Sequence, residues 1–142
     1  MKLIELKEKL EIATASTRIR QVLFDVLAYA NVVDKQYPIV IWNIDNSRVN
    51  KDIRTGSGTM RLDVICADNN PDIDIESDNS EKLRVYDQIE ACLIEYLVAV
   101  NADPGIGVTN MGNVDIEYYP SGIISVDGEM AVKFTVTLSL TC

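Results

Sequence analysis

The chain has 142 residues, 47% hydrophobic and 25% charged, ordinary values for a single folded domain spanning 1–142 with one core of moderate size. Its 22 acids outweigh 13 bases for a net charge of −9, and a surface of that sign repels phosphate backbones more than it grips them. There is no histidine, and Cys66, Cys92 and Cys142 are widely spaced with no CxxC. Common zinc arrangements and histidine-based proton transfer or nucleophile activation are thereby excluded.

The opening "MKLIELKEKLEIATAS" alternates charged and apolar residues, which does not read as a secretory signal, and no apolar run approaches the length that spans a bilayer. The expectation is a protein made and kept in a cytoplasm. Within 2–12, Leu3, Leu6 and Leu10 fall at helical spacing and predict a short amphipathic helix. Ser16 or Thr17 then offers an N-cap for a second helical segment in "RIRQVLFDVLAYANVV", where Ile19, Val22, Leu23, Val26, Leu27 and Ala30 form a stripe of period 3.6. The two segments also read as one bent helix.

"YPIVIWNID" follows. Pro38 cannot continue a helix, and Ile39, Val40, Ile41 and Trp42 predict a strand buried on both faces. The polar stretch 46–58 carries Arg48, Lys51 and Arg54 and reads as a long loop or extended hairpin tip. In "TMRLDVICAD", Met60, Leu62, Val64 and Cys66 share one face of a strand, with Arg61 and Asp63 on the other and Ile65 and Ala67 implying partial cover there. Cys66 and Cys92 are expected as small core residues, with Cys142 exposed.

After a loop at 69–80, residues 81–101 predict the clearest helix, with Asp78 and Glu81 spaced as a capping box and Pro104 and Gly105 as breakers. "VDIEYYP" predicts a half-exposed strand, Asp127 and Gly128 a hairpin turn, and "MAVKFTVTLSL" a final strand with Val132, Phe134, Val136, Leu138 and Leu140 on its dry face. The wet face, with Lys133, is solvated or meets another protein, and such a strand also suits pairing with a neighbour's sheet edge. The predicted fold is an α+β two-layer sandwich: a mainly antiparallel four-stranded sheet packed by the long helix on one face, with N-terminal helical segments.

No stretch carries a catalytic signature, and no catalytic, cofactor-binding or metal-binding residue is assigned. "DIDIESDNSE" clusters Asp72, Asp74 and Glu76, but counted from Asp72 an EF-hand loop needs glycine and glutamate where Ser77 and Leu83 stand. "GIGVTNMG" has Asn110 where a dinucleotide loop needs glycine, and reads as a turn; "TGSGT" lacks the ending of a phosphate loop. Arg48, Lys51 and Arg54 stand out in an acidic chain. They are solvated loop charges, or one half of a subunit contact whose other half is the acidic loop with Asp72, Asp74 and Glu76 of the next copy.

The order of these elements resembles the tail-terminator and tail-completion, or neck-ring, proteins of tailed bacteriophages. The elements that carry it are the Pro-led strand "YPIVIWNID", "TMRLDVICAD", the helix "EKLRVYDQIEACLIEYLVAV", "VDIEYYP" and the closing "MAVKFTVTLSL". The resemblance covers most of the chain through element order, without a short diagnostic motif. It implies a non-enzymatic virion protein, assembled in the bacterial host cytoplasm. Its copies would form homomeric rings, often six-fold or twelve-fold in connector layers, docked on portal, neck or tail proteins with DNA only as passing cargo. No cofactor and no membrane is implied. Two competing readings stand beside it: a cytoplasmic α+β ligand- or peptide-binding module, dimeric by edge-strand pairing, and a small hydrolase using carboxylates.

Overall fold

The computed structural model describes residues 1–69, 79–120 and 129–141. At its centre two twelve-residue strands, β4 (Gly58–Asn69) and β7 (Glu129–Leu140), pair antiparallel along their full length, from Gly58 opposite Leu140 to Asn69 opposite Glu129. Short strands line the outer edge of each. β2 (Ile39–Trp42) and β3 (Arg48–Lys51) run antiparallel along β4, and β5 (Ile106–Val108) and β6 (Asp115–Tyr119) run antiparallel along β7. β1 (Gln21–Leu23) lies parallel beside β2. The described residues thus form a seven-stranded mixed sheet, where a four-stranded, mainly antiparallel one was expected.

Among the described residues three α-helices accompany the sheet: α1 (Leu3–Ile12), α2 (Val26–Asn31) and α3 (Asn79–Asn101). The predicted helix over 18–33 divides between β1 and α2. Its stripe of apolar residues comes from two elements whose spacing coincides with a helical period. Asp25, in extended backbone, accepts the Ala28 N–H and starts α2 there, so neither Ser16 nor Thr17 is the cap; those residues close a 3₁₀ turn, Ala13–Ser16, and its exit. The capping box expected at Asp78 and the turn at Asp127–Gly128 lie outside the described residues, as does Cys142.

Alternation decides which residues face which layer. Even-numbered residues of β4 and β7 share one face: Met60, Leu62, Val64 and Cys66 beside Met130, Val132, Phe134, Val136, Leu138 and Leu140. Val40, Trp42, Ile106 and Val108 extend it, and Leu93, Tyr96, Leu97 and Val100 of α3 cover it with Leu6 and Leu10 of α1. Trp42 Nε1 donates to the Tyr96 hydroxyl at 3.0 Å, which donates to the Leu10 carbonyl at 2.7 Å, so one buried chain of polar groups joins sheet, α3 and α1. This is the dry face the sequence predicted, with the long helix upon it.

The reverse face is built differently. There Ile39, Ile41, Ile65, Ala67 and Ala131 form a second, smaller core under Tyr29 of α2. Helices therefore lie on both faces, because β1, α2 and β2 form a β–α–β unit whose helix crosses on the side opposite α1 and α3. β7, expected as an available edge, is interior: β4 takes one side and β5 with β6 the other. Within "GIGVTNMG" the expected turn falls on 109–112, whereas Ile106–Val108 form β5, and Asn110 bridges the gap between β5 and β6. Its amide nitrogen donates to the Thr135 carbonyl at 3.1 Å and its oxygen accepts the Thr137 N–H at 3.0 Å, replacing the missing rung.

Candidate functional site

Below the small second core, no element among the described residues covers the reverse face of the sheet, and that face is polar. Cross-strand register places Arg48 of β3 directly opposite Arg61 of β4, and Arg61 opposite Thr137 of β7. Asp63 and Thr135 form the next row, and Asn46, Arg48, Arg61, Asp63 and Thr135 line a recess of about 360 Å³. Like charges directly opposite one another on a sheet repel. Neither guanidinium has an ion-pair or hydrogen-bond partner among the described residues, and both are exposed. Two unpartnered arginines side by side on a chain of net charge −9 form an anion-accepting surface.

Lys133 is engaged within the chain. Its ammonium lies 3.3 Å from a Glu117 oxygen and 3.7 Å from an Asp63 oxygen, with the Tyr119 ring beneath it at 5.9 Å. Asp63 also accepts the Thr135 hydroxyl at 2.8 Å, and the Tyr119 hydroxyl donates to Glu117 at 3.0 Å. Partial burial works against the charge on Lys133. Tyr119, Asp63 and Glu117 outweigh it and hold the lysine protonated, above the ordinary lysine value.

Under α2 lies a cluster that the sequence did not disclose. The Glu129 side chain is fully buried, accepts a hydrogen bond from the Tyr37 hydroxyl and has the Lys35 ammonium 3.9 Å away. Lys35 also sits 4.7 Å above the Tyr29 ring. Burial first, then Tyr37 and Glu129, push the Tyr29 hydroxyl far above the ordinary tyrosine value, so it stays protonated. Strand parity places Glu129 on the wet face, but Tyr29 of α2 and the segment after it, with Lys35 and Tyr37, lie over that end. The cluster has the chemistry of a structural anchor between α2 and β7.

The remaining sequence candidates scatter. Lys51 donates to the Met1 carbonyl at 3.2 Å, while the Met1 amine donates to the Gly56 carbonyl at 2.6 Å, so the hairpin tip is tied to the start of α1. Arg54 pairs with Asp52 within the same tip. Asp72, Asp74 and Glu76 lie outside the described residues. The structure thus brings Arg48 and Lys133 to one face and leaves Lys51 and Arg54 to local contacts; Arg61, the partner that completes the basic recess, went unassigned although its alternation with Met60 and Leu62 marked its face. Cys66 and Cys92 are buried, as expected, and Cys66 is held protonated by its hydrogen bond with Cys92 and by burial.

Large apolar side chains are exposed on several separate elements: Leu3 and Ile4 on α1, Leu27 on α2, Val49 on β3, Ile94 and Val98 on α3, Ile116 and Tyr118 on β6. Leu3, Ile4, Leu6, Leu10, Phe24 and Ile44 line an apolar groove of about 380 Å³. Among the described residues no group of three or more acids or cysteines is arranged to hold a metal ion, and no helix is long and apolar enough to cross a membrane. No protein-family model matches the chain, and no curated protein matches it.

Proposed function

We propose that this chain is a structural subunit of a homomeric ring at the head–tail junction or tail top of a tailed bacteriophage, joining portal or connector to tail around the DNA channel. The observation that carries the reading is the distribution of exposed apolar residues over α1, α3, β3 and β6. A protein with one ligand concentrates its binding surface in one place. A ring subunit touches two lateral neighbours through different patches and further proteins above and below, and needs apolar surface on several sides. Net charge of −9 supports the channel role, since like charge lets DNA pass without sticking.

The test is assembly. Native mass spectrometry and negative-stain electron microscopy of the purified chain, alone and co-expressed with the portal, connector and tube proteins of its genome, should show closed rings or rings seated on those partners. A chain that stays single and joins none of them overturns the reading. The apolar groove between α1, Phe24 and Ile44 favours a second reading, a module that binds an apolar peptide or small ligand. That reading expects saturable binding by a chain that does not assemble.

A further inference from the structure

The two flanks of the sheet are oppositely charged edges. β3 pairs with β4 on the side away from β7, and β6 pairs with β7 on the side away from β4, so these strands bound opposite flanks. β3 reads Arg-Val-Asn-Lys, every residue exposed, with Arg61 behind it; β6 reads Asp-Ile-Glu-Tyr-Tyr, with Asp115 exposed and without an ion pair among the described residues. Among the described residues no strand pairs with the outer side of β3 or β6, and open edges of this kind are templates for another strand.

Directions and faces agree as well. β3 is antiparallel to β4, β4 to β7, and β7 to β6, so β6 of one copy runs antiparallel to β3 of another placed beside it in the same orientation. Arg48 is level with Arg61 and Thr137, and Asp115 with Thr135, only two residues away along β7. Strand parity puts Arg48, Arg61 and Asp115 on the same face of the sheet.

From this we infer that a second copy of this chain docks through its β6 edge onto β3, with its Asp115 carboxylate received by the Arg48–Arg61 pair. The contact is head-to-tail: each copy offers a basic edge to one neighbour and an acidic edge to the other, so it propagates and closes into a ring when the rotation allows. Placing Asp115 opposite Arg48 requires a stagger of two residues, roughly 7 Å, which a closed ring takes up as strand tilt, and it brings the start of β6 against the start of β3. The partner's carboxylate also relieves the repulsion between the arginines. The inference rests on the ring reading and names the surface by which the ring forms.

Charge reversal in trans tests it. One variant carries Arg48→Glu with Arg61→Glu, the other Asp115→Arg; all three positions are exposed and outside the cores, and circular dichroism checks each fold. By sedimentation velocity, the wild type should form multimers that weaken as salt rises, and each variant alone should sediment as a single chain, with association at least roughly tenfold weaker. An equimolar mixture should recover the multimer, because each reversed edge then meets the reversed edge of the other variant, which has the opposite sign, and each native edge meets a native one. If the Glu variant misfolds, Arg48→Gln with Arg61→Gln replaces it and should lose the salt dependence. A wild type that assembles while either variant still assembles, or a mixture that fails to recover, overturns this interface and leaves the ring reading standing. A wild type that remains single at every concentration overturns self-docking; the ring reading then depends on the co-expression test.

Discussion

The two faces of this sheet use the same strands in opposite ways. On the α1/α3 face, every even-numbered residue of β7 from Met130 to Leu140 is buried, and the buried Trp42–Tyr96–Leu10 hydrogen-bond chain crosses it. On the reverse face, the odd-numbered residues pass from a buried Glu129 through Ala131 to Lys133, Thr135, Thr137 and Ser139, and the cover among the described residues lies at the α2 end. Stability is concentrated on the first face and charge on the second. A subunit arranged so can present its reverse face and flanks to neighbours without disturbing what keeps it folded.

The largest expected effect strikes the dry face. Trp42→Ala empties a fully buried site and removes the donor to Tyr96, and should cost about 4 kcal/mol in urea unfolding, with Trp42→Phe recovering most of that. A variant costing under about 1 kcal/mol would show that the two faces do not differ as described.

The charged end of the reverse face comes next. Lys35→Met takes a cation from beside a buried carboxylate and should cost about 2 kcal/mol, less than a fully enclosed pair because Lys35 keeps some solvent contact. Adding Glu129→Gln should return part of the loss, since the carboxylate that needed the cation is then gone. A strictly additive double variant, measured in the same urea titration, would show that the two groups do not interact.

Much of the dry face was legible in the sequence, and the physical reason is length. β4, β7 and α3 are long enough for period 2 or period 3.6 to show against chance, and Pro38 with its β-branched run marks β2. β1 and β5 have three residues each and carry no period. β1 was hidden inside a false helical stripe, and the signal against that stripe was Asp25, an N-cap residue in its middle. The basic recess was half legible: Arg48 stood out by charge, whereas Arg61 becomes its neighbour only through the β3–β4 register. Glu129 was not legible at all, because parity assigns it to solvent and the covering helix belongs to the part misread.

Asn110 tests the join between β5 and β6 along the outer edge of β7. Asn110→Ala leaves the Thr135 carbonyl and the Thr137 N–H without the side chain that pairs them, at a cost of about 1–2 kcal/mol. Hydrogen exchange should report it locally, with the Thr137 amide losing protection before those of β4. Unchanged exchange at Thr137 would mean that β5 and β6 hold the edge without the bridge.

The smallest effect is also the most specific in pH. Asp103, after α3, accepts the Gly105 N–H at 2.8 Å and the Lys9 ammonium at 2.9 Å, tying the end of α3 to α1 on the dry side. The Gly105 N–H first, then Lys9, hold its carboxyl below the ordinary aspartate value. A carboxyl whose folded pKa is lowered stabilises the fold above its unfolded pKa and loses that contribution as pH falls through the folded one. Partial exposure keeps the effect of Asp103→Asn under about 1 kcal/mol at neutral pH. The stability difference between wild type and variant should therefore be flat from pH 7 down to about 5 and shrink below about 4. A difference that grows on acidification would place the charge of Asp103 outside the α1–α3 contact, and would remove the polar tie from the dry face.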